Sequence, residues 1–212
     1  MLEVAEFENH LWETQIVDPE RVHSEFSQQP VGMHGQKVDF GKIVIGSPLF
    51  DEWVDITART IYSLYPADEL PRVLLAVAKG TNPLVEPVAA ELGKKVVGLP
   101  TEKVDGIPMP TAETYRCLQL LRPDLLLVLD DVGTTGRNAS MVAHYGLKAG
   151  ANYTEVLFTW QRQERLHRLL ETNIVYHSVI KHLLPTFTPE DCRTLPEGLC
   201  SQGWRLNPYK AA

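Results

Sequence analysis

Five consecutive apolar residues, Leu125 to Leu129, run directly into Asp130 and Asp131, and this stretch constrains the chain more than any other. The run is too short for a helix and polar residues bound it on both sides, which is how a strand buried on both faces of a parallel sheet reads. After the acidic pair come Val132 and a short loop, Gly133-Thr134-Thr135-Gly136. Arg137 to Lys148 then predicts a helix, with Ala139, Val142, Ala143, Gly146 and Leu147 on its buried face. Strand, acidic pair, glycine-threonine loop and helix form an α/β unit.

The residue types point to a ligand. Glycines let the loop backbone curl its N–H groups toward one point, and the threonines add small hydroxyl donors. The helix start contributes unpaired N–H groups and a positive partial charge, which suits a phosphate monoester. Like charges repel, so the aspartates do not serve that phosphate. They suit sugar hydroxyls, which donate to carboxylates, or a hydrated magnesium ion. A molecule with a phosphate at one end and a ribose diol in the middle matches both halves.

The stretch resembles the ribose-5-phosphate-binding motif of the type I phosphoribosyltransferases: about four apolar residues, an acidic pair, an apolar residue and a Thr/Ser-Thr-Gly loop. Leu126 to Leu129, Asp130, Asp131, Val132, Thr134, Thr135 and Gly136 meet every position. The resemblance implies an α/β fold, a mostly parallel sheet flanked by helices, with a small hood formed by terminal segments. It implies that Asp130 and Asp131 touch the ribose hydroxyls and hold Mg2+ indirectly, through those hydroxyls or water. It further implies that Val132, Gly133, Thr134, Thr135, Gly136 and Arg137 grip the 5-phosphate of phosphoribosyl pyrophosphate, that a nucleobase is the second substrate, and that the protein is a homodimer.

With 212 residues, the chain is long enough for one well-buried α/β domain plus additions, but not for two full domains. We expect a hood segment over residues 1–46, a core over 47–180 and a tail over 181–212. A hydrophobic fraction of 44% and a charged fraction of 22% are those of an ordinary globular protein. A net charge of −7 argues against nucleic acid as the main partner. No apolar run approaches the length of a membrane span. Glu3, Glu6 and Glu8 near Met1 are the opposite of a signal peptide. The odd cysteine set, Cys117, Cys192 and Cys200, fits a reduced cytoplasmic setting best.

Along the rest of the chain, Glu3 to Thr14 predicts an amphipathic helix, Val31 to Gly35 a turn-rich link and Asp39 to Ile45 a strand. Their order resembles the hood region of the orotate-type enzymes. Ser47-Pro48 opens a helix, with proline at an early position where its missing N–H is tolerated. Arg72 to Ala78 predicts a buried strand. Lys79-Gly80-Thr81-Asn82 comes next as a loop before a helix over Leu84 to Leu92, repeating the phosphate-suited geometry on a second strand end. It resembles the pyrophosphate loop of the orotate type, with one extra residue between glycine and proline. Lys94 to Leu99 predicts a third strand.

Pro100 to Pro110, with three prolines and a glycine, reads as a long loop. In the orotate type a mobile loop here carries an Arg-Lys pair and a Lys-x-His-Gly segment. Lys103-Val104-Asp105-Gly106 resembles the second part, with aspartate for histidine, and makes Lys103 the catalytic cation that the resemblance implies. Leu99 and Pro100 stand where Arg-Lys would be. A pyrophosphate leaving group calls for cations, so either Lys103 suffices, or the substrate class differs, or catalysis is weak or lost.

Thr111 to Leu121 is compatible with a helix or with a strand of a hairpin. Tyr153 to Trp160 predicts a strand, Gln161 to Glu171 a polar helix with Arg162 and Arg165 on its surface, and Ile174 to Val179 the last core strand. Leu184 to Cys192 resembles a C-terminal segment of orotate-type enzymes. Three functions remain open on the sequence: a magnesium-dependent phosphoribosyltransferase with orotate as the favoured base, a non-catalytic binder of phosphoribosyl pyrophosphate or a nucleotide, and a generic nucleotide-binding α/β protein such as a hydrolase.

Overall fold

The computed structural model describes residues 3–17, 24–27, 33–35, 37–164, 174–184 and 186–187. In chain order the elements are α1 (Val4–Glu13), β1 (Ser24–Ser27), β2 (Met33–Gly35), α2 (Pro48–Leu64), β3 (Val73–Ala76), α3 (Ala78–Leu92), β4 (Val97–Leu99), β5 (Thr101–Val104), β6 (Ile107–Pro110), α4 (Ala112–Leu121), β7 (Leu125–Gly133), α5 (Arg137–Ala149), β8 (Tyr153–Gln161), β9 (Val175–Lys181) and β10 (Thr186–Phe187). The chain divides into two compact units, Met1–Glu8 with Phe40–Leu183, and Asn9–Asp39 with Leu184–Ala212. Among the described residues no helix is long and apolar enough to cross a membrane.

The larger unit is built on a five-stranded parallel sheet in the order β4-β3-β7-β8-β9. The apolar run at 125–129 lies in its middle strand, with Leu126, Leu127 and Val128 fully buried. Side chains alternate across a strand, so both faces must be covered. One face, formed by Val73, Leu75, Leu126, Val128, Val156 and Phe158, packs with Leu118 of α4 and with Ala139, Val142 and Ala143 of α5. On the other, Trp53 of α2 donates its indole N–H to the Thr159 hydroxyl of β8 at 2.8 Å. Helix α2 begins as expected, with Ser47 accepting the Phe50 N–H and Pro48 in the first turn.

The smaller unit holds a three-stranded antiparallel sheet in the order β1-β2-β10. The expected turn-rich link at Val31–Gly35 is thereby corrected in part, because Met33–Gly35 is the middle strand of that sheet. The strand expected at Asp39–Ile45 is a 3-10 turn, Phe40–Lys42, with further turns after it. Ile43 donates to the Phe40 carbonyl and Ser47 to the Val44 carbonyl, which uses the donors a ladder would need and leaves Val44 and Ile45 exposed.

Three further expectations change. The long loop at Pro100–Pro110 is a hairpin, in which Thr101 to Val104 pairs with Ile107 to Pro110. Asp105 and Gly106 both take positive φ, 52° and 80°, the geometry of a two-residue hairpin turn. The loop expected at Lys79–Asn82 is the start of α3. Thr111–Leu121 resolves as helix, since the Thr111 hydroxyl accepts the Thr114 N–H at 3.0 Å and caps it. Strand β8 extends through Gln161, Arg162 to Glu164 are not helical, and residues 165–171 lie outside the described set, as do Cys192 and Cys200.

Trp53 anchors α2 on the second face, where it also packs on Phe40 and Phe50 at centroid distances of 4.8 and 6.4 Å. Trp53→Phe strands the buried Thr159 hydroxyl and leaves a cavity, so chemical denaturation should register a loss of about 2–4 kcal/mol.

Candidate functional site

Strands β3 and β7 are parallel neighbours with Ala76 opposite Leu129, so their carboxyl ends lie side by side. The segments leaving these two strands therefore share one edge of the sheet, the position where open α/β sheets take ligands. From β7 come Asp130, Asp131 and the loop; from β3 comes the first turn of α3.

Asp130 is buried and Asp131 half-buried. The Asp130 carboxylate accepts the Asp131 N–H at 3.1 Å, and the Asp131 carboxylate accepts the Val132 N–H at 2.8 Å. Burial drives both pKa values up, and for Asp130 the charge of its neighbour and a hydrogen bond between the two carboxyls push further in the same direction. Asp130 therefore keeps its proton well above the usual carboxylate range. Lys103, reaching in from the hairpin, is near enough for its charge to favour the ionised form of both.

The two expected ligand-binding stretches touch through Gly80. A Cβ there would stand 2.0 Å from Asp131 Oδ2 and 2.6 Å from its Cγ, so only glycine lets α3 start against the carboxylate. Lys79 beside it is exposed. Thr81 and Asn82 are turned to other work. The Thr81 hydroxyl is fully buried, accepts the Val77 N–H at 3.0 Å and donates to the Leu129 carbonyl at 2.9 Å. The Asn82 side-chain amide donates to the Thr101 carbonyl at 2.7 Å and accepts the Thr101 N–H at 3.1 Å. Both side chains are committed to the protein.

The Gly133–Gly136 loop is backed by aromatic side chains. The Phe158 ring fills the space a Cβ on Gly133 would need, and Tyr176 stacks on Phe158 at 5.9 Å. The Tyr176 hydroxyl lies 2.7 Å from Ser140 Oγ, which donates to the Gly136 carbonyl at 2.7 Å. Gly136, with φ of 71°, is the N-cap of α5 and has no side chain to cap it, although the Thr135 hydroxyl accepts the Arg137 N–H at 3.4 Å. Its first N–H groups are those a helix leaves without intrahelical partners. Thr134 and Thr135 are half-buried and Arg137 is exposed.

Arg162 departs from its expected place on a helix surface. It lies just past β8, its N–H donates to the Gly133 carbonyl at 3.1 Å, and burial lowers the pKa of its guanidinium to about 10. Its position directly after a buried strand was the available signal, and reading 161–171 as one helix hid it. Thr101 was missed for a similar reason, since a loop gives no ground for choosing one buried threonine.

The chain has the type I phosphoribosyltransferase fold. Its structure resembles the orotate phosphoribosyltransferase of Aeropyrum pernix at a TM-score of 0.58 and 16% identity, over 82% of this chain and 93% of that one. That of Mycobacterium tuberculosis, in complex with inorganic phosphate, matches at 0.57 and 16%, over 84% and 95% of the two chains. That of Francisella tularensis matches at 0.54 and 18%, over 82% and 85%. No family model and no curated protein matches the chain. In this phosphoribosyltransferase fold the acidic pair stands at the end of the middle strand, where β7 hands over to the loop.

A carboxyl whose pKa is raised by folding holds a proton that the unfolded chain has released, so stability falls as pH rises from the ordinary range through the raised value. Asn at 130 keeps the acceptor for the Asp131 N–H and supplies a permanent donor to the Asp131 carboxylate. Asp130→Asn should raise stability at neutral pH by about 1–2 kcal/mol. In thermal unfolding measured against pH the gain should vanish toward about pH 4. A gain of constant size would show that ionisation of the pair is not its source.

Proposed function

We propose that the chain transfers a 5-phosphoribosyl group from phosphoribosyl pyrophosphate to a nitrogenous base, with orotate the favoured base. One observation carries this reading: Asp130 and Asp131, Lys103 and the Gly133–Gly136 loop converge on one edge of the sheet. The similarity to three orotate phosphoribosyltransferase structures over more than four-fifths of the chain supports orotate over other bases.

In this reading the ribose hydroxyls donate to Asp130 and Asp131. The 5-phosphate is gripped by the segment Val132 to Arg137, through the Thr134 and Thr135 hydroxyls and loop N–H groups, while the Val132 N–H stays with the Asp131 carboxylate. Lys103, with Lys79 and the backbone at Gly80, faces the pyrophosphate. The base nitrogen attacks the anomeric carbon as the bond to pyrophosphate breaks, its electron pair leaving with the pyrophosphate. No protein nucleophile is needed, so the side chains act by alignment and charge neutralisation. Among the described residues no cluster of three or more His, Cys, Asp or Glu could cage a metal. Asp130 and Asp131 would instead suit a magnesium ion that keeps most of its water, and such an ion would supply charge neutralisation for the pyrophosphate. A homodimer and a cytoplasmic setting belong to the same proposal.

A second reading, a non-catalytic binder of the same sugar, is favoured by the charge of the hairpin, where Lys103 stands between the exposed carboxylates Glu102 and Asp105. Pyrophosphate release with magnesium, tested across orotate, uracil, hypoxanthine and adenine, separates the two. Turnover with orotate is expected. Saturable binding of phosphoribosyl pyrophosphate without turnover on any base would select the second reading, and no binding would remove both.

Hydroxyl donors need the ionised pair, and the pair resists ionisation. Affinity for phosphoribosyl pyrophosphate should therefore fall as pH drops below the raised pKa values, with proton release on binding visible as a buffer-dependent heat. Asp131→Asn removes one charged acceptor, worth about 1.5–3 kcal/mol, so calorimetry should find binding weakened by about 10- to 100-fold.

A further inference from the structure

Of the residues that resemble a pyrophosphate loop, Thr81 commits its side chain to the β3–α3 junction and Asn82 commits its own to the hairpin. Asn82, in the second turn of α3, takes both the N–H and the carbonyl of Thr101 through its amide, at 3.1 and 2.7 Å. The Thr101 hydroxyl, buried, accepts the Ala78 N–H at 2.7 Å and donates to the Ala76 carbonyl at 2.9 Å. Four hydrogen bonds therefore fix one residue of β5 to the junction of β3 and α3. Thr81 ties the same junction across to β7 through the Leu129 carbonyl, immediately before Asp130.

Strand geometry carries this restraint to the site. Residues two apart in a strand project from the same face, about 6.7 Å apart. Thr101 and Lys103 stand in that relation, while Glu102 projects the other way. A Thr101 held inward sends Lys103 to the side of the acidic pair and Glu102 away from it. The pairing of Lys103 with Pro108 and of Val104 with Ile107 keeps the strand extended to the turn.

We propose that Asn82 is a positioning residue which, by clamping Thr101, sets where the Lys103 ammonium stands over the pyrophosphate side of the pocket. The cation is thus supplied on an arm anchored at Thr101. The proposal rests on the reading in which Lys103 faces the pyrophosphate of phosphoribosyl pyrophosphate.

The test is calorimetry of the full chain with two probes, phosphoribosyl pyrophosphate and ribose 5-phosphate, which share the sugar and its phosphate and differ in the pyrophosphate. Lys103→Ala should weaken the first by about 10-fold or more and the second by less, since ribose 5-phosphate loses only the help Lys103 gives to ionising the acidic pair. Asn82→Ala should do the same, and adding it to Lys103→Ala should cost nothing further. Equal weakening of both probes by Asn82→Ala, or additive losses in the double variant, would overturn the clamp while leaving the reading of the pocket intact. No effect of Lys103→Ala on either probe would overturn both the clamp and the Lys103 assignment. If Asn82→Ala does not fold, Asn82→Ser keeps a small polar group there without adding charge and removes the two-point amide contact with Thr101. The same probe-selective loss is expected from it, and a uniform loss would again count against the clamp.

Discussion

The arrangement turns on two neighbouring carboxyls held at the buried end of the middle strand. Bringing one carboxylate out of water is costly, and bringing a second beside it costs more. The protein meets this cost in three ways: backbone N–H donors from Asp131 and Val132, a proton retained between the two groups, and the charge of Lys103. None of the three fully relieves the pair, since both pKa values remain raised. An incompletely neutralised, desolvated acidic pair is poised for a ligand that brings hydroxyl donors or a cation.

That constraint explains features which otherwise look unrelated. Gly80 is without a side chain because the Asp131 carboxylate occupies the space. The first turn of α3 can approach so closely only if the β3–α3 junction is tied down, which Thr81 does from within and Thr101 from the hairpin. On the far side of the pair, the Phe158–Tyr176 stack and Ser140 hold the loop at both of its glycines. The pocket is thus shaped by side chains from α3, the hairpin, α5, β8 and β9 whose own polar groups are engaged with the protein.

Legibility from sequence depended on how local each determinant was. The middle strand, the loop and α5 could be read because burial on both faces leaves an unbroken apolar run, and because Asp130, Asp131 and the glycine-threonine loop are contiguous. Helix α2 was equally readable from Ser47-Pro48. The hairpin was missed although Asp105-Gly106 between Val104 and Ile107 is a strong two-residue turn signal; three prolines outweighed it, and prolines are tolerated in an isolated pair of strands. The strand expected at Asp39–Ile45 failed because β-branched residues have no strand without a partner. The roles of Thr81 and Asn82 were beyond local reading. Small polar residues after a strand suit a ligand and a neighbouring backbone equally well, and the partners that decide between them, Leu129 and Thr101, are distant in sequence.

The departures of the hairpin from the orotate-type pattern acquire a physical meaning from this. A mobile loop rich in cations loses entropy on closure each time it orders, and its charges gather only when the anion is present. A hairpin anchored at Thr101 has met part of that ordering cost in folding, so its single lysine has less conformational space to search. The compensation has a limit. A fixed arm excludes less water than a closing lid, and exposed Glu102 and Asp105 lower the local potential that a pyrophosphate would meet. In the proposed reading, binding of the activated sugar is the step such an arm would serve directly, and the rate of the chemical step would depend on how completely Lys103 replaces the charges that a closing loop would bring.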